Sequence, residues 1–414
     1  MPSSIAWIDL ADEDRRQMLE VVSLFKERYT RDELGLASIR DTFADLLFPG
    51  TSTIQTRARY FLFVPWLYRG YEVRRVPSSN IESRLKRDEV NLIGALKAAG
   101  ETVGIIGQVS GASLQRFPSS IYWNGLRRWG ILRFPGSQDQ YHRSLDYFYR
   151  RQTGHQRSDT ADLIEDSATT NWGPNLPDTP GGFPHQAGFR LTPEEAEYLR
   201  ERLLLSCNES LLAHLVDRCQ PVGGIDFVWF HPQAAEFPPH LQRWVRHARN
   251  FSECLHGAAL LYNLVLAELT DREQEINEYR EWLVTWHDKL MARAASLVQW
   301  DRLDFWRLVT EHGQIPGPAQ RFVSDWLRVL LDGDTIAEVV DHTEARRLVR
   351  DREIRLKRGR SRFESHRHLE MWSGRAGVAQ LNYRWSPVAR QISNDILHGL
   401  NSDAGGAHVE SRSA

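Results

Sequence analysis

The sequence predicts a mainly α-helical, multi-helix protein of two or three subdomains with a few short strands. Three observations carry that expectation. Apolar residues recur at steps of three and four over long stretches, helix-capping signals stand at the start of several of them, and only one short stretch reads as a strand. The chain has 414 residues, 41% of them apolar, and 14 Trp, which is enough for sizeable cores and excludes wholesale disorder.

Residues 12–26 carry Leu19, Val22 and Phe25 on one helical stripe, and a second helix is expected over 37–48. A third should follow Gly50-Thr51-Ser52-Thr53, whose hydroxyls would cap the free N–H groups of its first turn. That helix would place Ile54, Ala58 and Phe61 on one stripe, with Tyr60, Phe63 and Trp66 adding aromatic bulk, and Pro65 should kink it or end it. Another helix spans 79–99, closed by Gly100. In 102–109 Val and Ile are interleaved with Gly, as in a strand. A helix then starts at Pro118 and ends near Trp129-Gly130, and strand and helix together are compatible with a winged-helix-like element near 102–133.

Residues 152–190 hold four Pro and five Gly without periodicity and read as a linker or a long surface loop. Trp172 and Phe183 favour a loop that packs on something. Beyond it, Thr192, Pro193 and Glu195 form a capping box at N-cap, N1 and N3. Residues 239–269 can place Leu241, Trp244, Ala248, Phe251, Leu255, Ala258, Tyr262 and Val265 on one face, and 272–298 repeat the pattern from Ile276 to Leu297. Two long amphipathic helices joined by a short polar turn predict an antiparallel hairpin. Helices over 301–311 and 318–331 extend the array. The expected division is a mostly helical domain over 1–151, the linker or loop over 152–190, a helical domain over 191–340, a basic region over 341–400 and a disordered tail over 401–414.

Lys plus Arg number 52 and Asp plus Glu 54, a net charge of −2, so any electrostatic partner has to be sought in local clusters. No apolar run approaches the roughly 20 residues of a membrane span, and the first residues show no basic region followed by an apolar stretch. Cys207, Cys219 and Cys254 form no C-x-x-C pair and are expected as buried or half-buried free thiols of a cytoplasmic protein. No phosphate-cradling glycine loop, dinucleotide fingerprint, H-E-x-x-H or G-x-S-x-G motif is present, and no cofactor or metal is expected.

The sharpest local feature is a basic run. Between Arg346 and Arg367 stand ten Lys or Arg against three acids, Asp351, Glu353 and Glu364, a local charge of +7. Arginine dominates it, and the planar guanidinium fork suits phosphate oxygens. Arg346, Arg347, Arg350, Arg355, Lys357, Arg358, Arg360 and Arg362 are therefore the candidate nucleic-acid contacts. Tyr383, Arg384 and Trp385 follow, and an aromatic beside a cation can stack on a base. The competing reading is a solvated helix, or arginines paired with acids of other segments. A second candidate is an anion site at Thr51, Ser52, Thr53 and Arg57, where the expected helix N-terminus would present N–H groups and a positive dipole end; ordinary capping explains the hydroxyls equally. A third, His366, His368 and Glu370, could ligate a metal only if the stretch were extended. Asp332 and Asp334 around Gly333, and His287-Asp288-Lys289, are weaker still.

Four stretches resemble a known family: DLLFPGTSTIQTR at 45–57, RFPSSIYWNGL at 116–126, RHARNFS at 246–252, and Trp372-Ser373-Gly374 with Tyr383-Arg384-Trp385. They are similar to the uncharacterised bacterial family named domain of unknown function 6361, and the similarity covers nearly the whole chain. The resemblance implies a setting among phage-defence or mobile-element genes and supplies no catalytic residues. The expected function is a non-catalytic component of a phage-defence type system that binds nucleic acid or a partner protein from a neighbouring gene, with no membrane association. The alternatives are a metal-dependent nuclease with an atypical site near His366 and His368, and a pure helical scaffold.

Overall fold

The computed structural model describes residues 32–155, 170–333 and 336–402. The helix expected over 12–26, residues 156–169 of the expected loop, Asp334 and the tail from 403 onward lie outside the described residues. Those described form a mainly α, multi-helix structure. In chain order the α-helices are α1 (Ala37–Leu47), α2 (Tyr60–Val73), α3 (Ser78–Ala98), α4 (Pro118–Arg128), α5 (Gln138–His155), α6 (Pro193–Cys207) and α7 (Leu211–Arg218). There follow α8 (Pro239–Leu269), α9 (Glu273–Met291), α10 (Ala294–Val298), α11 (Arg302–His312), α12 (Gly317–Leu331), α13 (Thr343–Lys357), α14 (His366–Glu370) and α15 (Arg390–Leu400). Among the described residues the only β feature is an isolated antiparallel bridge between Leu132 and Trp172. No helix among them is long and apolar enough to cross a membrane.

The strand expected over 102–109 is not formed. Gly104 and Gly107 take φ of 90° and 81°, which breaks the extended backbone, and the segment runs as turns. Without that strand the winged-helix-like element is absent too. The helix expected directly after Thr53 starts instead at Tyr60, and it does not end at Pro65 but continues to Val73. Pro65 sits in the second turn, where its missing N–H forfeits one bond near the start of the helix.

The chain divides into two compact units. One comprises 1–43 and 246–381. Its main feature is the predicted antiparallel hairpin: Trp286 of α9 donates its indole N–H to the Glu253 carbonyl of α8 at 2.7 Å, and Arg280 reaches Glu268 at 3.2 Å. The two helices meet closely because position 257 is glycine; a Cβ there would fall inside the Trp286 ring. Phe305 of α11 stacks on Phe43 and on Phe251, with ring centroids 6.1 and 5.6 Å apart. Asn263, fully buried on α8, holds the 372–376 segment by accepting from the Trp372 indole at 3.1 Å and the Ala376 N–H at 2.9 Å, while donating to the Ala376 carbonyl. A buried amide with its hydrogen bonds made fixes one conformation of the chain around it.

The other unit comprises 44–245 and 382–414. Residues 60–68 of α2 are buried throughout, and Phe61 stacks on Trp129 at 3.8 Å with the planes 10° apart. The capping box of α6 forms as the sequence predicts: Thr192 Oγ1 accepts from the Glu195 N–H and Glu195 Oε2 accepts from the Thr192 N–H. Trp172 is buried, and Phe183 stacks on Phe63, so the described part of the Pro/Gly-rich stretch packs on the helices. Helix α15 lies along α6, where Gly399 allows Ala196 and Leu191 to approach its backbone. The three cysteines are free and buried, and burial pushes the Cys219 thiol up to about 11 and that of Cys254 to about 12.

Candidate nucleic-acid interface

The basic run becomes helix α13, capped by His342, whose Nδ1 accepts from the Ala345 N–H, and closed at Arg358, which takes a positive φ of 51°. At about 100° per residue, Arg347, Arg350 and Arg355 fall within an arc of about 140°. Ala345, Val349, Arg352 and Glu353 occupy the opposite side and are buried. Phase alone places Arg352 on the buried side; Arg346 and Lys357, about 40° and 20° from Arg350 at that spacing, are set apart by the acids they reach.

Arg346, Arg352, Lys357 and Arg362 are engaged within their own unit. Arg346 pairs with Glu268 and donates to the Val340 carbonyl at 2.8 Å. Arg352 donates to the carbonyls of Leu34 (2.7 Å) and Gly35 (3.2 Å), with its guanidinium over the Phe322 ring. Lys357 is held between Glu33 and Glu353, and Arg362 donates to Glu33 and the Tyr262 hydroxyl, each at 2.6 Å. Burial, reinforced by the neighbouring Arg362 charge, presses the Lys357 ammonium below its ordinary pKa. Arg346, Lys357 and Arg362, three of the eight candidates, are thus engaged by the fold.

The outward set faces solvent. Arg347 and Arg355 approach carboxylates only at 3.9 Å, from Glu344 and Asp351, and their side chains are 65% and 80% exposed. Pairs of that kind contribute little. Arg350 and Arg358 are exposed and make no ion pair among the described residues. Arg360 is exposed as well. Beside this face runs a groove of about 610 Å³ between α12 and α13, lined by Arg321, Phe322 and Asp325 from one wall and Arg347, Asp351 and Arg355 from the other. Arg321 and Asp325 were not legible as site residues, since nothing in the sequence says which face of α12 turns to α13.

The anion site expected at Thr51, Ser52, Thr53 and Arg57 has a different construction. No helix starts there. Thr51 Oγ1 donates to the Phe48 carbonyl at 2.6 Å and Ser52 N–H donates to Gln55, so the polar groups close a turn. Arg57 does grip a carboxylate, that of Asp395 in the same unit, with Nε and Nη2 each at 2.9 Å, and the Ala58 N–H adds a third bond at 2.9 Å.

His366 lies on the one-turn helix α14, its Nδ1 3.2 Å from Glu370, while His368 bonds to Ser365 Oγ. On a helix, positions 366 and 368 diverge by about 200°. Among the described residues, no three His, Cys, Asp or Glu are grouped to hold a metal. Asp332 pairs with Arg302 at 2.6 Å, and His287 bonds to the Ile336 carbonyl.

The family-like stretches contribute chiefly to internal joints. Tyr383 and Trp385 are buried, the Trp385 indole donating to the Ile225 carbonyl, and Arg384 donates to Asp45 and the Thr51 carbonyl. His247 is buried with both ring nitrogens used, Nε2 toward Asp304 at 2.9 Å and Nδ1 accepting from the Trp300 indole at 2.8 Å.

No curated protein and no solved structure is significantly similar to this chain. The family of unknown function DUF6361 matches residues 2–399, and the chain belongs to that family.

Proposed function

We propose that the protein is a non-catalytic, nucleic-acid-binding component of a prokaryotic phage-defence type system, and that the outward face of α13 is its phosphate-contacting surface. The observation that supports this reading is the row Arg347, Arg350, Arg355 and Arg358, turned to solvent while Arg346, Lys357 and Arg362 of the same run are paired with acids of their own unit. Exposed guanidinium groups whose nearest carboxylates stand no closer than 3.9 Å keep their charge available for phosphate oxygens, and binding releases the counterions condensed on the nucleic acid.

Replacing these four arginines with Gln tests the reading. Four phosphate contacts give a slope of log K against log salt of about −3.6 on duplex and about −2.8 on a single strand. The variant should lose most of its affinity and flatten that slope, with an unchanged melting temperature because the side chains are exposed. Unchanged affinity and slope would remove the proposal. The defence role is read separately, as protection against phage in cells carrying the chain with its neighbouring genes, which the variant should abolish.

A further inference from the structure

The groove between α12 and α13 differs from a plain phosphate-binding stripe in three respects. Its cations stand on both walls, Arg321 on α12 and Arg347, Arg355 and Arg358 on the α13 side. A phosphate that meets both walls has to enter between them. Its lining is also apolar in part, with Pro316 and Pro318 exposed and Leu348 and Leu356 half-buried. Such surface suits the flat face of a base or a sugar edge. Finally, Asp325 and Asp351 line the same space. Carboxylates repel phosphate, so they serve a ligand that also carries hydrogen-bond donors, such as exocyclic amino groups or sugar hydroxyls.

From this juxtaposition we infer that the groove holds a nucleotide unit, phosphate together with base and sugar, and not the outer surface of a duplex. The inference rests on the nucleic-acid reading above and narrows it. A groove of about 610 Å³ falls within the range of small-ligand sites. In a duplex the base donors are paired or recessed in the grooves, and the helix is too wide to enter the cleft, so a duplex would meet the outward face of α13, Asp351 included, but neither Asp325 nor Arg321 of α12. An unpaired strand presents all three chemistries at once, and so does a free nucleotide.

The test uses the full chain and fluorescence anisotropy with a labelled adenine-rich DNA strand, the same strand annealed to its complement, and adenosine monophosphate and inorganic phosphate as competitors. The strand is expected to bind about tenfold tighter than the duplex, with adenosine monophosphate competing and phosphate at equal concentration failing to compete. Arg321→Ala should weaken strand binding about tenfold, the loss of one charge-assisted contact, and change duplex binding little. Leu348→Trp, which narrows the groove and leaves every arginine in place, should weaken strand binding more than duplex binding; if that variant does not fold, the exposed Arg321→Ala still decides. Direct binding of adenosine monophosphate without strand binding would also support the inference and identify free nucleotide as the source. Equal binding of strand and duplex, insensitive to Arg321→Ala but lost with the α13 arginines, would overturn the groove inference and leave the phosphate face standing. Binding of no nucleic acid or nucleotide would overturn both.

Discussion

Glu89 offers a direct test of how the unit formed by 44–245 and 382–414 is held together. It lies on α3, 1% exposed, at the start of α4: Oε1 accepts the Ser119 N–H at 2.7 Å and Oε2 the Ser119 hydroxyl at 3.2 Å. No cation pairs with it among the described residues. Burial pushes its pKa from 4.5 up to about 8, against the smaller opposing effect of the two Ser119 bonds. A carboxyl whose pKa is raised on folding contributes its full stability below the unfolded pKa. That contribution is lost as pH climbs through the folded value, because the unfolded chain releases the proton first. The interval from 4.5 to 8 at about 1.36 kcal/mol per unit sets a ceiling of about 5 kcal/mol. Glu89→Gln keeps the shape and the acceptor for the Ser119 N–H but cannot ionise. The difference in melting temperature, variant minus wild type, should therefore be small near pH 5, grow toward pH 8 and level off above it. Thermal melts of both proteins at half-unit steps from pH 5 to 9 read this out. Parallel profiles across that range would refute the assignment of Glu89 as a neutral buried acid.

Two further substitutions probe the packing. Asp395→Ala strips Arg57 of a bidentate partner and leaves the Ala58 N–H unsatisfied, so denaturant unfolding should show a loss of about 3–5 kcal/mol, and less than 1 kcal/mol would contradict the geometry. Gly257→Ala gains up to about 1 kcal/mol of helix propensity but drives a methyl into the Trp286 ring, so a net loss of about 2 kcal/mol is expected. A Gly257→Ala protein as stable as wild type would mean that α8 and α9 do not approach as described.

Features set by local chemistry were legible in the sequence. The capping box at Thr192, the 31-residue helix α8 and its partner α9 follow from hydrogen-bonding side chains and periodicity within a few residues of each other. The failures share a cause as well. Thr51 to Thr53 carry the residues of a helix start, yet Gln55 and Tyr122 take up the nearby N–H groups, and Tyr122 is 66 positions from Thr56. The partner of Arg57 is 338 positions away, beyond anything spacing can reveal. The basic run falls between these extremes. Its composition announced it, and helical phase accounts for the burial of Arg352, but Glu268 and Glu33, the acids that pair with Arg346, Lys357 and Arg362, had no local signature.

The interleaving of the two units has a bearing on how the polypeptide can be made and dissected. The ribosome releases 44–245 long before α15, which must return to α6 after the whole of 246–381 has been synthesised. During that interval the apolar side of α6 lacks its cover and Arg57 lacks its counter-charge, which leaves a window in which chaperones would bind and during which folding is slowed by such distant closure. A clone stopped after residue 381 would keep every residue of one unit and deprive the other of its final helix. Dissection into autonomous pieces therefore calls for co-expressed segments or a rearranged gene, not a single cut.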